Sequence, residues 1–97
     1  MSTITKTEFS ADMPAIAARV KGGEDVVITR YGAVVATFTR YATAETMTTV
    51  RLSQLHSHAG ALIDRVRSGA VLEVVNAATG TTVGYLIPPT RKEETQQ

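Results

Sequence analysis

Apolar residues fall on one stripe through Met13, Ile16, Ala17 and Val20, at positions i, i+3, i+4 and i+7, a spacing that predicts an amphipathic helix over residues 12–20. Asp12 is placed to cap this helix, and Pro14 is tolerated in its first turn, where the N–H that proline lacks would have no helical partner. Gly22 and Gly23 stop it, because glycine takes the left-handed conformation that a helix C-terminus often needs. The period then changes from 3.6 to 2. Residues 25–30 and 33–39 are β-branched runs broken at Tyr31-Gly32, which reads as a tight hairpin.

The same pattern passes a second time. Ala59, Leu62, Ile63 and Val66 repeat the stripe, Gly69 repeats the stop, and residues 71–75 and 81–87 repeat the pair of strands. Between those strands, Asn76-Ala-Ala-Thr-Gly80 fits a type I turn closed by a glycine bulge. At an offset of 46 residues, Thr3/Thr49, Phe9/Leu55, Ile16/Leu62, Arg19/Arg65, Val20/Val66, Gly23/Gly69 and Ile28/Val74 coincide in type. Beyond the second turn the offset becomes 48, and Val35 meets Val83 while Phe38 meets Leu86. A length difference confined to a turn is what a duplicated unit allows.

Each half is close to the size, about 40 residues, below which a chain rarely buries enough apolar surface to fold alone. The two halves are therefore expected to share one core about a pseudo-two-fold axis, as the subunits of a homodimer would. The expected organisation is one compact domain over residues 1–90, with repeat one at 1–40, a linker at 41–48 and repeat two at 49–90. The linker has neither Pro nor Gly and reads either as a plain connection or as one helical turn. Pro88 and Pro89 stop the last strand, and the polar residues 91–97 are expected to be disordered.

Composition narrows the function. Ten Lys and Arg against nine Asp and Glu leave a net charge of +1, so no strong electrostatic field is implied, and a nucleic-acid binder is usually more basic. The absence of cysteine excludes disulfides and thiolate metal sites. The first residues form no signal peptide, and no run approaches the roughly 18 apolar residues of a spanning helix, so a soluble cytoplasmic protein is the default expectation. Glu8, Asp12, Asp64 and Glu73 show no paired spacing, and no nucleophile elbow or phosphate-binding glycine loop is present, so neither an enzyme nor a cofactor is expected. His56 and His58 stand two apart and would face different directions on a helix, which argues against a metal site.

Further resemblance lies in Thr-Glu-Phe-Ser at 7–10, the Met13 to Val20 stripe, Gly-Gly-Glu at 22–24 and Val-Val-Ile-Thr-Arg-Tyr-Gly at 26–32. This segment resembles the DNA-binding half of Phd/YefM-type antitoxins. The second copy, with Leu-Ser-Gln-Leu at 52–55, Leu-Ile-Asp-Arg-Val-Arg-Ser-Gly at 62–69 and Val-Gly-Tyr-Leu-Ile-Pro at 83–88, resembles it too. The resemblance implies an α+β fold made of tandem β-α-β-β repeats, a single-chain pseudodimer with an antiparallel sheet and packed helices. It implies a small DNA-binding transcriptional regulator, a repressor, whose partner is operator DNA. The alternative is an antitoxin or inhibitor that binds a toxin or other protein, with further homo-oligomerisation open and no membrane partner. The seven residues after Thr90 are too few for the long toxin-wrapping segment of that family, which favours the regulator.

Carried residue by residue, the resemblance names Arg30 and its neighbour Tyr31 at the first hairpin and Asn76 at the second. It also names Ser10 and His56 where the family usually holds Arg or Lys. Lys6 and Arg51 flank the start of each helical segment and are read as phosphate contacts, the two being equivalent within one residue. Arginine suits guanine edges and phosphates, whereas Ser10, His56 and Asn76 depart from the basic pattern, so the copies need not read DNA equally. Arg19 and Arg65, beside the core stripe, would as readily lie over the core as touch a partner.

Overall fold

The computed structural model describes residues 2–89. The chain opens as a four-residue strand, β1 (Ser2–Thr5), and turns directly into a six-residue helix, α1 (Lys6–Ala11). Thr5 makes that turn possible. Its hydroxyl accepts from the Glu8 N–H at 3.1 Å, and the Glu8 carboxylate accepts from the Thr5 N–H at 2.8 Å, a reciprocal pair that satisfies two otherwise free donors.

A second helix, α2 (Met13–Lys21), follows and carries the predicted stripe, with Met13, Ile16, Ala17 and Val20 all buried. Asp12 holds the cap position but makes no side-chain capping bond, contrary to expectation. Its backbone, at φ −122 and ψ 31, is not in the extended conformation from which an N-cap side chain reaches back, because Asp12 also closes α1 by donating its N–H to the Glu8 carbonyl at 3.0 Å. Gly23, at φ 106, reverses the chain, and the Glu24 N–H returns to the Arg19 carbonyl at 3.0 Å.

The first hairpin joins β2 (Val26–Arg30) to β3 (Ala33–Thr39). Tyr31 at φ 54 and Gly32 at φ 79 both lie in the left-handed region, the signature of a two-residue type I′ turn whose twist matches that of the strands. Residues 41–47 then form no helix, and Arg40 ties this stretch down by donating from Nη1 to the Thr82 carbonyl at 3.1 Å.

The second half runs β4 (Thr48–Arg51), α3 (Leu52–Ser57), α4 (Ala59–Arg67), β5 (Leu72–Asn76) and β6 (Thr81–Ile87). Thr48, placed in the linker by the sequence pattern, is the first residue of β4. Element for element, the boundaries repeat those of the first half at a separation of 46 residues through β5 and 48 at β6. Each half is thus β-α-α-β-β, one short helix more than the apolar period predicts. The second turn has the expected form: the Asn76 carbonyl accepts from the Thr79 and Gly80 N–H groups at 3.2 and 2.7 Å, and Gly80 sits at φ 71.

The six strands form one sheet in the order β1-β2-β3-β6-β5-β4. The sheet is mixed, which corrects the expectation of an antiparallel one: β1 pairs parallel with β2, and β4 with β5. The helices between those strands act as a crossover that returns the chain to the end from which it started, so the second strand runs in the direction of the first. At the centre β3 and β6 pair antiparallel, Thr37 with Ile87, Phe38 with Leu86 and Thr39 with Tyr85. At the offset of 48, Phe38 faces its own counterpart, and the flanking pairs exchange roles.

One core draws on both halves. Val26, Ile28, Ala36, Phe38, Val50, Leu72, Val74 and Leu86 on the strands and Phe9, Val20, Leu55, Ile63 and Val66 on the helices are buried together. Phe9 meets Phe38 edge to face, ring centroids 5.9 Å apart and planes at 88°. Among the described residues no polar or charged side chain is fully buried. The helices cross between halves, α2 packing on β6 and α4 on β3. The alternate strand positions, Val27, Thr29, Thr37, Thr39, Glu73, Val75, Tyr85 and Ile87, are half-buried on the opposite face. The expected tail at 91–97 lies outside the described residues. No helix among these residues is long and apolar enough to cross a membrane.

Candidate functional site

Antiparallel pairing of β3 and β6 sends the two hairpin turns to opposite ends of the sheet, and each turn lies beside the short helix of its own half. The result is two ends with matching parts and different chemistry.

At the first end, Lys6, Arg30 and Tyr31 come together with Thr5, Thr7 and Thr29 around an open cleft of about 350 Å³. Lys6 is the first residue of α1, and its side chain reaches the first turn of α4: a methyl on Gly60 would sit 3.5 Å from Lys6 Cε and 3.6 Å from Nζ. Arg30 closes β2, with its guanidinium 5.4 Å from the Tyr31 ring centroid and Nη1 3.7 Å from Asp64 Oδ1 on α4. The Asp64 contact, between half-exposed and exposed side chains, orients Arg30 and stabilises little by itself. Tyr31 is 94% exposed on a left-handed backbone, a position usually given to Asn, Asp or Gly. The Thr5 hydroxyl is engaged in the helix cap, and the Thr29 hydroxyl donates to the Ile4 carbonyl at 3.1 Å. Two cations and one projecting aromatic ring are left to meet a ligand, a set suited to anionic oxygens and flat π faces.

At the second end, His56 and Asn76 line a cleft of about 600 Å³ with Leu52, Ser53, Ser57, Ala77 and Ala78, closed from the other half by Met13 and Pro14. No lysine or arginine lines it. Asn76 Oδ1 accepts from the Ala78 N–H at 3.0 Å, pinning the amide to its own turn. The Ser57 hydroxyl donates to the Ser53 carbonyl at 3.1 Å.

Comparison of the chain with protein-family profiles, curated proteins and solved structures gives no match.

Ser10 is half-buried on α1 and lines neither of these clefts. Arg51 is exposed at the end of β4 and also lies outside both. Lys6 and Arg51 are not counterparts as the sequence reading pairs them. Lys6 opens α1 and Leu52 opens α3, while Arg51 occupies the cap position of Thr5 without its capping bond. The strict offset of 46 already contains this match. Asp64 as the partner of Arg30, and Met13 and Pro14 as walls of the second cleft, carry no sequence signal, because each contact joins different halves.

Arg19 is committed elsewhere. It binds Glu24 through Nη2 at 2.7 Å and Nε at 3.1 Å, and the Ser2 hydroxyl joins the pair. The Arg19 guanidinium, with help from Ser2, holds the Glu24 carboxyl down at about 2, from an ordinary 4.5. Among the described residues no three His, Asp or Glu side chains converge as a metal site requires.

Proposed function

We propose that this protein is a small DNA-binding transcriptional regulator, built as a single-chain pseudodimer of two Phd/YefM-like halves. The observation that carries the reading is the convergence of Lys6, Arg30 and Tyr31, from a helix start and a hairpin tip far apart in sequence, into one solvent-open cleft. Lysine and arginine meet phosphates there, and the arginine fork can reach a guanine edge. Supporting the pseudodimer are the repeated element boundaries and the reciprocal β3–β6 register, in which equivalent residues face each other as a two-fold interface demands.

The test is binding of the full chain to the duplex upstream of its own gene and to a scrambled duplex, at low and physiological salt. Preferential binding of the upstream duplex at physiological salt supports the regulator. Arg30→Ala is expected to cost about 1–3 kcal/mol if Arg30 reads a base, or to flatten the salt slope by about 0.9 if it neutralises a phosphate. Unchanged affinity at every salt concentration removes Arg30 from the interface.

A second reading, an antitoxin or inhibitor that binds another protein, is favoured by the larger cleft. Its wall of Met13, Pro14, Leu52, Ala77 and Ala78 suits an apolar side chain better than a phosphate. Co-purification of a stoichiometric protein partner, with equal binding to both duplexes, would move the conclusion to this reading.

A further inference from the structure

The two ends are built from equivalent elements, yet no basic residue of the first end is repeated at the second. Lys6 opening α1 corresponds to Leu52 opening α3, Arg30 closing β2 to Asn76 closing β5, and Tyr31 after it to Ala77. Ser10 on α1 corresponds to His56 on α3, and Ala11 to Ser57, so the second end gains an imidazole and an uncharged hydroxyl in place of cations. Even the residue that steadies Arg30 is unmatched, since Asp64 on α4 corresponds to Ala18 on α2.

Resting on the DNA-binding reading, we propose that the two ends are unequal readers and that the protein binds a non-palindromic site in a single orientation. The Lys6–Arg30–Tyr31 end supplies the phosphate contacts and the guanine-directed fork. The Leu52–His56–Asn76 end adds no charge at the corresponding positions. The Asn76 amide, pinned to the Ala78 N–H, is not free to turn edge-on for the two-point recognition of adenine that a mobile asparagine makes. His56 and the apolar wall of the larger cleft are left to follow groove shape and offer isolated contacts.

A homodimer cannot separate its two ends, because each mutation appears at both. A single chain can, and this one lines only one of its two clefts with lysine and arginine, while the exposed Arg51, beside the second, lines neither. The consequence is polarity: a duplex reversed relative to the protein presents its constrained half to the cleft without lysine or arginine in its lining and loses the Arg30 contacts.

The test is selection by the full chain from a pool of random-sequence duplexes about two helical turns long, followed by sequencing of the bound fraction. The expected result is a site with one constrained, guanine-containing half and one degenerate half. Arg30→Ala should erase the constraint in that half alone. Asn76→Arg should begin to constrain the other half, and Leu52→Lys with Asn76→Arg should yield a near-palindrome with a salt slope steeper by about 1.8 if both meet phosphates. Leu52 packs on the core, so thermal melting accompanies the double variant, and the wild-type selection decides the matter without it. A palindromic site selected by the wild-type chain would overturn the inequality and leave DNA binding standing. No enrichment over the starting pool would overturn DNA binding, and the inequality with it.

Discussion

Gly84 sits where the two halves touch, and adding one methyl group there should damage the fold more than its size suggests. A Cβ at this position would lie 2.7 Å from the Thr39 carbonyl oxygen, 2.7 Å from Val20 Cγ1 and 3.1 Å from Phe38 Cε1. The first of these is backbone, held by the β3–β6 pairing of Thr39 with Tyr85, and the other two belong to fully buried side chains. Nothing near the methyl can yield cheaply. Overpacking of this kind costs about 1–3 kcal/mol, and the rigid carbonyl argues for the upper end. Against it stands about 0.5–1 kcal/mol gained because alanine restricts the unfolded chain more than glycine. Gly84→Ala should therefore lose about 2 kcal/mol, or about 8–16 °C of Tm in a domain of this size. Ala36, the matching residue of β3, already carries this methyl, so the difference is one of space rather than backbone conformation. Thermal melting followed by circular dichroism measures the loss. Val20→Ala should cost about 1 kcal/mol less in the Gly84→Ala background than in the wild type, a favourable coupling that a double-mutant cycle reads. A Gly84→Ala protein that melts at or above the wild-type temperature would refute the crowding, and with it the packing of α2 across β6.

The remaining expectations concern the helix start and the acid limb. Thr5→Ala removes the capping box of α1 and should cost about 1 kcal/mol, whereas Arg51→Ala, at the matching position without a cap bond, should stay within about 0.5 kcal/mol; urea denaturation of both separates them. Glu24 contributes stability above its ordinary value of 4.5, and that contribution disappears as pH falls toward about 2, where the folded protein also protonates it. Glu24→Gln should accordingly weaken the pH dependence of the urea midpoint between those limits, and an unchanged profile would show that the Arg19–Glu24–Ser2 cluster does not couple to folding.

Much of the local structure is legible along the chain. The stripes of α2 and α4, the glycine that ends each, and the bounds of β3 and β6 follow from apolar period and turn chemistry, because they depend on neighbours within a few residues. The short helices α1 and α3 are not legible. Each buries one residue, Phe9 or Leu55, and a single apolar position has no period. Tyr31-Gly32 could be read as a tight turn, but the placement of Tyr31 on a left-handed backbone, exposed beside Arg30, belongs to the folded hairpin.

For the candidate site, sequence alone marked Lys6, Arg30, Tyr31, His56 and Asn76 and the repeat that relates them, since residue identity and spacing are written in the chain. Their grouping was a tertiary outcome. Alternation along a strand says which face is buried, yet it is blind to strand direction and to which neighbour the strand pairs with. The parallel β1–β2 and β4–β5 pairs, and the junction of β3 with β6, bury the apolar face of both halves in one core. The same assembly carries Lys6 to α4 and Arg30 to Asp64, and it sends the charged and the neutral turn to opposite ends of the sheet.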